Sequence, residues 1–395
     1  MINTINPATE VVEARFEAHS SEQVEHKLQA AAIAQREWAT TPLEQRLPLL
    51  SRVAQVLRDR KHEFAQLITL EMGKPIVEAE AEVEKCAVTC DFYAGNAKRF
   101  LDDLAVASNA SESAVVFDPL GIVLAIMPWN YPFWQFVRFA APALAAGNGA
   151  LLKHANNVPQ CALALEQVFN EAGAPQGLVT TLLVEASEVA GLIADARVAA
   201  VTLTGSTAVG KIVASQAGAA MKKQVLELGG SDPFIVLADA DIDKAAEVAV
   251  KARFTNTGQS CICAKRFLVE SSVADRFVGA MRELTAKLKV GDPTQRDTAV
   301  GPMARGNLRD ELHGQVQRTV QAGAQLLMGG KPMDGPGYFY EPTILDHVTP
   351  DMPAAKEETF GPPAAVIRVK DADEAVRLAN ATEFVLGAAL WTTDL

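Results

Sequence analysis

The sequence predicts an α/β protein built on parallel sheets. From Leu120 onward, short apolar runs alternate with stretches of helical spacing, and a second alternating series runs from Pro233 to the end of the chain. Near-continuous apolar strands separated by helices are typical of parallel sheets that are covered on both faces. We expect the first series to contain the strands Gly121–Met127, Ala150–Leu152, Val179–Leu183, Ala199–Leu203 and Gln224–Leu228, with Phe133–Ala146 and Pro159–Ala172 among its helices.

The first hundred residues are predicted to be helical. The stretch that starts at Thr41 has the spacing of a capping box with proline at the first helical position. Apolar residues then recur at helical intervals until Gly73-Lys74-Pro75 ends the helix, and a further helix is expected from Glu78 to about Leu101. The polar stretch Asp102–Glu112 is expected to be an excursion between these helices and the first sheet.

The composition is that of a globular protein with an excess of negative charge. The 395 residues include 36 Lys plus Arg and 48 Asp plus Glu, which gives a formal net charge of −12. Such a chain has little attraction for a phosphate backbone, so nucleic acid is not expected as a partner. No secretion signal is visible in the first residues, and the longest apolar runs, around Leu120–Pro128 and Phe139–Leu152, are expected to be too short or too interrupted to cross a bilayer. We therefore expect no membrane partner.

The cysteines and histidines predict neither a disulfide framework nor a metal site. Five cysteines in so long a chain indicate a reducing compartment, and we expect a cytoplasmic location. The histidines are scattered and share no metal-ligand spacing with a cysteine. Asp239, Asp241 and Asp243 alternate like the start of a calcium loop, but Lys244 stands where such a loop needs glycine. We interpret these aspartates as the capped start of a helix.

Cys261 is the candidate nucleophile. It follows Gly258-Gln259-Ser260 on a tight turn between a helix that begins at Ile242 and a strand that begins near Arg266. Backbone N–H groups at such a turn can stabilise a thiolate, which is the reactive form of cysteine. The alternative interpretation is an inert buried thiol.

Glu227 is the candidate general base. It ends an apolar strand and is followed by Leu228 and then by Gly229-Gly230, which would let a ligand approach the backbone closely. A carboxylate among apolar residues is costly unless it is paired, protonated or functional, and desolvation would raise its pKa toward the range of a base that activates water. The alternative is a glutamate at the tip of a strand, facing solvent.

Two further turns follow predicted strands of the first series. Asn130, held between two prolines, can direct its amide N–H groups at a developing oxyanion, although the same residues could form an ordinary turn. Gly205-Ser206 opens a helix whose N-terminal amides could hold a pyrophosphate. Lys153 ends the neighbouring strand, where a cation could meet an adenosine ribose or a phosphate.

Together these segments resemble the aldehyde dehydrogenase superfamily, and the resemblance extends over essentially the whole chain. Each motif is weak or moderate alone, but together, in the family's order and close to its spacing, they are very specific. The closest subgroup is the bacterial NAD(P)-dependent succinate-semialdehyde dehydrogenases, on the strength of segments 126–130, 151–155, 229–234 and 301–305. The motifs are Pro128-Trp129-Asn130, Thr204-Gly205-Ser206, Glu227-Leu228-Gly229-Gly230, Gly258-Gln259-Ser260-Cys261 and Glu357-Glu358-Thr359-Phe360-Gly361-Pro362.

The resemblance implies an aldehyde dehydrogenase-like α/β fold with a Rossmann-type cofactor-binding domain and an α/β catalytic domain. The first would comprise residues 1–102 and 120–228, an oligomerisation segment residues 103–119, and the catalytic domain residues 229–395. The implied reaction is the NAD(P)-dependent oxidation of an aldehyde to a carboxylate, with succinic semialdehyde as the leading substrate.

The resemblance also implies the roles of individual residues. Cys261 would attack the aldehyde to form a thiohemiacetal, Asn130 would hold the oxyanion, and Glu227 would activate the water that hydrolyses the later thioester. Arg138, about two helical turns after Asn130, is the candidate for binding the substrate carboxylate, and Trp134 is a second substrate contact. The implied cofactor contacts are Trp129, Lys153, Gly205, Ser206, Leu228, Glu358 and Phe360.

Three departures from the family pattern affect these expectations. Asn156 stands where many NAD-preferring members have glutamate, and His154-Ala155 replaces the usual Pro-Ser; we expect NAD as the cofactor, with NADP as the alternative. Thr255 stands where some succinate-semialdehyde enzymes have arginine. The chain stops at Leu395, several dozen residues before family members normally end. We therefore expect a homo-dimer or tetramer from a complete chain and a weakly active, aggregation-prone protein from this length alone.

Other functions compatible with the sequence are a broad-specificity aldehyde dehydrogenase and an inactive truncated fragment that only binds cofactor. Transfer of the thioester to coenzyme A is disfavoured by Glu227, because that chemistry must avoid hydrolysis. Cys263 could act as a reversible redox partner of Cys261, since the sulfurs could meet if the turn flexed. The alternative for Cys263 is a small apolar filler behind the nucleophile.

Overall fold

The computed structural model describes residues 1–394, which form two compact units. Unit 1 comprises Met1–Ile5, Val12–Glu71 and Ala79–Leu228. Unit 2 comprises Asn6–Val11, Met72–Glu78 and the chain from Gly229 onward. The domain roles inferred from the sequence, including that of the oligomerisation segment, stay predictions.

Helices and strands alternate through most of the chain. The helices are α1 (Ser21–Thr40), α2 (Leu43–Asp59), α3 (Lys61–Met72), α4 (Ile76–Leu101), α5 (Trp134–Ala145), α6 (Pro159–Glu171), α7 (Val189–Ala194), α8 (Thr207–Ala219), α9 (Ile242–Phe254), α10 (Ser271–Thr285), α11 (Gly306–Gln321), α12 (Pro353–Lys356) and α13 (Ala372–Ala379). The strands are β1 (Ile2–Ile5), β2 (Val12–Phe16), β3 (Leu104–Ala105), β4 (Ala114–Val115), β5 (Ile122–Met127), β6 (Gly149–His154), β7 (Val179–Thr181), β8 (Val198–Thr204), β9 (Lys223–Glu227), β10 (Asp232–Val236), β11 (Ala264–Glu270), β12 (Gln325–Met328), β13 (Thr343–Asp346), β14 (Pro363–Val369) and β15 (Ala389–Trp391). Short 3-10 helices cover Ala186–Glu188 and Thr255–Gly258.

The main sheet of unit 1 is parallel, as predicted, with strand order β7-β6-β5-β8-β9. Its inner strands are buried because helices cover both faces, which explains their continuous apolar sequence. Met127 pairs with His154 at the ends of β5 and β6, and Thr204 pairs with Glu227 at the ends of β8 and β9. This register brings the carboxyl ends of the strands to one edge, where open α/β sheets bind ligands.

Glutamates from α3 and α4 cap the helices that follow two of these strands. Neither α5 nor α6 is capped by the side chain at its own N-terminus. Glu82 accepts hydrogen bonds from the N–H groups of Phe133 (2.9 Å) and Trp134 (3.0 Å) at the start of α5. Glu71 accepts from the N–H groups of Gln160 and Cys161, both at 2.9 Å, at the start of α6. Both carboxylates are buried, and these donors satisfy them.

Unit 2 is built on a mixed sheet with strand order β12-β13-β14-β11-β10-β15. β12 is antiparallel to β13, and the other neighbours are parallel. Phe234 and Phe267 lie in its core with their ring centroids 5.5 Å apart. Trp391 of β15 stacks on Phe234 at 5.9 Å. Asp241 caps α9 by accepting from the N–H of Lys244 at 3.1 Å, as the sequence predicted.

The prediction that the chain starts with helices is wrong for residues 1–16. β1 and β2 form an antiparallel pair in which Ile2 lies opposite Phe16. Ile2 and Thr4 are buried, so these residues alternate with a period of two. A pattern of four residues is too short to stand out beside the long helical stretch that follows.

The capping box predicted at Thr41 is also wrong. The hydroxyl of Thr41 donates to the carbonyl of Glu37 at 3.0 Å and so serves the end of α1, while Pro42 precedes α2 without a side-chain cap. The capping box lies instead at the start of α1, where Ser20 and Gln23 exchange hydrogen bonds of 3.2 and 2.8 Å. The spacing that predicted a single helix up to Gly73 corresponds to α2 and α3 in succession.

Within residues 1–394, no helix has the length and apolar character needed to cross a bilayer.

Replacing Glu82 should destabilise the start of α5. Glu82→Ala leaves two helix N–H groups without their buried acceptor, and we expect the free energy of unfolding to fall by about 2–3 kcal/mol. Glu82→Gln keeps an acceptor oxygen and should lose clearly less. Hydrogen exchange should quicken in the first turn of α5 and not in that of α6, which Glu71 caps. Equal exchange in α5 of the Ala variant and the wild type would contradict this role.

Candidate active site

The predicted site residues occur in both units, and those of unit 1 follow the carboxyl ends of its sheet strands. Asn130 is buried in the loop after β5. His154, at the end of β6, donates from Nε2 to the carbonyl of Pro132 at 2.9 Å and accepts at Nδ1 from the N–H of Ala155 at 2.9 Å. Burial lowers the pKa of His154 to about 4, so its ring is neutral at pH 7. The histidine that replaces the family's proline therefore ties the end of β6 to the loop that carries Asn130.

Lys153 is buried and bonded to its own loop. Its Nζ donates to the carbonyl of His154 and to Oδ1 of Asn156, both at 2.8 Å, and burial lowers the pKa of the lysine. Asn156 in turn donates from Nδ2 to Glu185 at 2.7 Å. Asn156 thus links the predicted ribose contact Lys153 to an exposed carboxylate, a connection that the sequence did not indicate.

Glu227 ends β9, but it is not desolvated as the sequence predicted. Its side chain is 42% exposed and lies 3.6 Å from Nη2 of Arg138. The same Nη2 donates to Oγ1 of Thr204 at 3.2 Å. Because β9 lies at the edge of the sheet, its last residue reaches solvent, which sequence hydrophobicity alone could not reveal.

Arg138 and Glu227 line an open groove of about 780 Å³ in unit 1. The groove is formed by α5 and by strands β5, β8 and β9, and its walls include Thr204 and Lys223. Trp134, the other predicted substrate contact, has its ring centroid 4.0 Å from Nζ of Lys85, a cation–π arrangement at the start of α5. Arg138 is thus the predicted substrate residue that faces this groove.

In the turn between β8 and α8, the side chain of Ser206 caps the N-terminus of α8. Ser206 accepts at Oγ from the N–H of Val209 at 3.4 Å, and the N–H of Gly205 donates to the carbonyl of Glu227 at 3.0 Å. Leu228 packs against the hydrophobic core of unit 1. Trp129 is partly exposed beside Asn130. Gly205 therefore ties the candidate phosphate turn to the strand that carries the candidate base.

In unit 2, the segment before Cys261 contains a strained backbone turn. Asn256 and Thr257 have φ values of 55° and 56°, in the left-handed region that residues other than glycine rarely adopt. The N–H of Asn256 donates to Glu78 at 2.7 Å, and Oγ1 of Thr257 donates to the carbonyl of Gly301 at 3.2 Å. Hydrogen bonds to neighbouring chain segments thus hold the turn in this conformation.

The motif at residues 301–305 supports the turn that precedes Cys261, the candidate nucleophile. The N–H of Gly301 donates to Oγ1 of Thr257 at 3.1 Å, and the N–H of Ala304 donates to Oε1 of Gln259 at 2.9 Å. Sequence reasoning used the motif only as a mark of resemblance. The residue in the sequence that could have indicated this contact is Gln259, because a buried glutamine needs hydrogen-bond partners for its amide.

Cys261 is partly exposed, whereas Cys263 is buried. Burial raises the pKa of the Cys263 thiol, and its Sγ lies 3.8 Å from the carbonyl oxygen of Thr255. A buried, protonated thiol is a poor redox partner, which favours the interpretation of Cys263 as a filler. The redox role stays a prediction.

Gly229 and Gly230 allow a close approach within unit 2 itself. A Cβ atom on Gly229 would collide with the carboxylate of Glu358, and one on Gly230 would collide with the carbonyl of Cys261. Glu358 accepts from the N–H of Gly230 at 3.1 Å and from Nζ of Lys265 at 2.9 Å. The sequence analysis explained these glycines by the close approach of a ligand. In the structure, the close neighbours are Glu358 and the main chain of Cys261.

Lys265 and Arg253 were missed by sequence reasoning. Lys265 is fully buried, and its Nζ lies 5.6 Å from the ring centroid of Phe360. Arg253 is also fully buried and donates to the carbonyls of Thr359 and Gly361. Burial lowers the pKa of Arg253 to about 10. The available signal was a lysine just before the apolar run Phe267-Leu268-Val269, because a charge buried there requires acceptors.

Across residues 1–394, no cluster of histidine, cysteine, aspartate and glutamate side chains could hold a metal ion.

Comparison with known proteins gives a consistent result. The aldehyde dehydrogenase family model matches residues 1–395. A probable NADP(+) succinate-semialdehyde dehydrogenase from Synechocystis sp. is 49% identical over 393 residues, covering 100% of this chain and 87% of that protein. The Escherichia coli NAD(P)+ succinate semialdehyde dehydrogenase Sad is 48% identical, covering 99% of this chain and 85% of that protein.

Solved structures agree with these sequence relatives. Succinic semialdehyde dehydrogenase from Streptococcus pyogenes, in complex with NADP+, superposes with a TM-score of 0.97 at 35% identity, covering 100% of this chain and 87% of that chain. The α/β fold inferred from the sequence is therefore confirmed. The chain belongs to the aldehyde dehydrogenase family.

Proposed function

We propose that the protein oxidises succinic semialdehyde to succinate with NADP as the electron acceptor. Relatives from Synechocystis, Escherichia coli and Mycobacterium avium that are 48–49% identical are named succinate-semialdehyde dehydrogenases. The observation within this chain that carries the proposal is Arg138, which lines the open groove along β5, β8 and β9 and lies 3.6 Å from Glu227 at the carboxyl end of β9.

Arg138 suits a substrate with a carboxylate at the end remote from its aldehyde. A guanidinium presents five N–H donors in a planar fork that matches a carboxylate. Nη2 contacts Thr204 and Glu227, and the side chain remains 31% exposed. A neutral aldehyde of the same length would gain nothing from this charge.

The chemistry follows from a thiolate, an amide donor and a carboxylate. The Cys261 sulfur forms a bond to the aldehyde carbon, and the resulting oxyanion accepts hydrogen bonds from the Asn130 amide and the Cys261 N–H. A bound nicotinamide would supply the acceptor for the hydride that leaves this carbon. Glu227 then removes a proton from a water molecule while the oxygen of that water adds to the thioester carbon. The C–S bond breaks, which releases the acid and returns the Cys261 thiolate. The partial exposure of Glu227 leaves its carboxylate open to that water.

The unit 1 sheet edge has groups that fit a dinucleotide. The N-terminus of α8 follows the Gly205-Ser206 turn and offers first-turn amides to a pyrophosphate, and Lys153 provides a cation at the neighbouring strand end. Glu358 and Phe360 of unit 2 are proposed to contact the nicotinamide ribose. The sequence favoured NAD, whereas the names of the relatives favour NADP, so we propose NADP as the preferred cofactor and NAD as the second.

A substrate panel with an Arg138 variant tests this function. The wild type should form NADPH from succinic semialdehyde far faster than from butanal. Arg138→Ala should raise KM for succinic semialdehyde by roughly tenfold or more and leave butanal unchanged, because one charge-assisted contact is lost. Arg138→Lys should fall between the two.

Other outcomes of the panel would point elsewhere. Equal loss on both aldehydes in Arg138→Ala would mean that the arginine acts only through its contact with Glu227. Equal rates for many aldehydes in the wild type would indicate a broad-specificity enzyme. Cofactor binding without reduction by any aldehyde would indicate a protein that only binds cofactor.

Two substitutions should separate the half-reactions. Cys261→Ser should abolish hydride transfer, because a serine hydroxyl is a much weaker nucleophile than a thiolate. Glu227→Gln should give a burst of about one NADPH per site and then stall at the thioester. Rapid-mixing absorbance at the NADPH band measures both. Steady turnover of Glu227→Gln would mean that another group activates the water.

We also propose that a second copy of the chain covers the β3–β4 hairpin. β3 and β4 pair antiparallel, with Leu104 opposite Val115, at the position of the predicted oligomerisation segment. Apolar side chains here are exposed, and paired short strands offer edges to a partner's sheet. The exposed side chains are Leu104, Val106, Val115, Val116 and Phe117.

A charge in this hairpin should prevent assembly. Val116→Asp should shift the sedimentation coefficient from a dimer or tetramer to a monomer, because a carboxylate would be buried without a partner. Val376→Asp, at a similarly exposed valine on α13, is the control and should leave assembly unchanged. Monomeric wild type, or no shift in Val116→Asp, would contradict the interface.

A further inference from the structure

Lys265 connects three groups of unit 2 around the proposed nucleophile. Its side chain lies on β11 and is fully buried. Nζ donates to the carbonyl of Gly230 at 2.5 Å, to the carbonyl of Cys261 at 3.1 Å and to Oε1 of Glu358 at 2.9 Å. An ammonium has three N–H donors, so each one has an acceptor.

These acceptors lie on separate segments of the chain. Cys261 precedes β11, Gly230 precedes β10, and Glu358 lies between α12 and β14. Glu358 also accepts from the N–H of Gly230 at 3.1 Å, which closes a ring of hydrogen bonds among Lys265, Glu358 and Gly230. A shift of the Cys261 carbonyl or of the Glu358 carboxylate would leave part of the buried ammonium unsatisfied.

A buried lysine generally contributes less to the stability of a strand than an apolar residue of similar volume. Desolvation of an ammonium costs several kcal/mol, and well-packed apolar residues often replace buried ion pairs without loss of stability. The neighbouring β11 residues Phe267 and Leu268 are apolar and fully buried, so the strand tolerates apolar side chains. Packing of the strand alone therefore does not explain the charge at Lys265, and its role has to be sought in its acceptors.

We propose that Lys265 is a positioning residue that holds the Cys261 main chain and the Glu358 carboxylate in one fixed arrangement. The inference rests on the proposed function, in which Cys261 is the nucleophile and Glu358 contacts the nicotinamide ribose. Because all three N–H donors of its Nζ are used within the protein, Lys265 has no donor left for the aldehyde. It acts by keeping a constant distance between the Cys261 main chain and the Glu358 carboxylate. Hydride transfer requires such a fixed arrangement of nucleophile and cofactor.

Arg266 provides a matched control one residue away. It is also buried on β11 and donates to three carbonyls, those of Ser231, Leu378 and Ala379, at 2.9–3.0 Å. None of these acceptors is Cys261 or Glu358. Removing its charge should disturb a buried network of similar size while leaving the proposed link intact.

The test compares Lys265→Met, Lys265→Gln and Arg266→Met in the full chain, at a temperature where circular dichroism shows each to be folded. Lys265→Met should lower kcat for succinic semialdehyde by at least tenfold, change KM for the aldehyde less than twofold, and weaken NADPH binding severalfold by fluorescence. Lys265→Gln, which keeps two N–H donors, should lose less. Arg266→Met should lower the melting temperature and keep kcat within about twofold.

Hydrogen exchange supplies a readout that does not depend on activity. In Lys265→Met, exchange should quicken together in residues 259–263 and 357–361, and in Arg266→Met it should not. A change in only one of the two segments, or equal losses of kcat in Lys265→Met and Arg266→Met, would overturn the positioning role. If the wild type reduced no cofactor, the proposed function would fail, and the exchange pattern would still decide whether Lys265 links the two segments.

Discussion

The register of the unit 1 sheet determines where the candidate site residues of that unit lie. β5 ends level with β6, and β8 ends level with β9, so the residues that follow each strand emerge at the same edge. Asn130, Lys153, Gly205 and Glu227 come from distant parts of the sequence, yet each stands at or just beyond such a strand end. A slip of one residue in any pairing would turn side chains to the opposite face and separate this set. The helices on both faces, through the apolar residues that they bury, prevent that slip.

Within each unit, buried charged side chains hold backbone segments in place. Glu71 and Glu82 bind helix N–H groups, while Arg253, Lys265 and Arg266 bind main-chain carbonyls. In each case a side chain on a regular element satisfies backbone groups at the end of a helix or strand or in a loop, where the regular hydrogen-bond pattern leaves them without a partner. In unit 2, such bonds hold the turn before Cys261, the Gly229-Gly230 segment and the Glu358 segment.

The sequence was sufficient for the parallel sheet and for the identity of the motif residues, because both leave local signals. From Leu120 onward, apolar runs of strand length can be recognised between the helices, and Cys261 and Glu227 differ clearly from their neighbours. Long-range contacts leave no such signal. The exposure of Glu227 depends on β9 being an edge strand, and the capping of α5 depends on Glu82, which lies far away in the sequence. At Thr41 the local signal was misleading. The sequence there matches a capping box for α2, but the Thr41 hydroxyl bonds to the end of α1.

The distant helix caps also bear on the order in which the chain folds. Because their own N-terminal residues provide no cap, the first turns of α5 and α6 are completed only when α4 and α3 have docked. Such contacts are separated by many residues and close a large loop, which slows their formation relative to local helical contacts. During synthesis the amino-terminal helices emerge first, so the glutamates are already displayed on α3 and α4 when the later helices leave the ribosome. The helices α3 and α4 thus provide the carboxylates that accept hydrogen bonds from the first turns of α6 and α5.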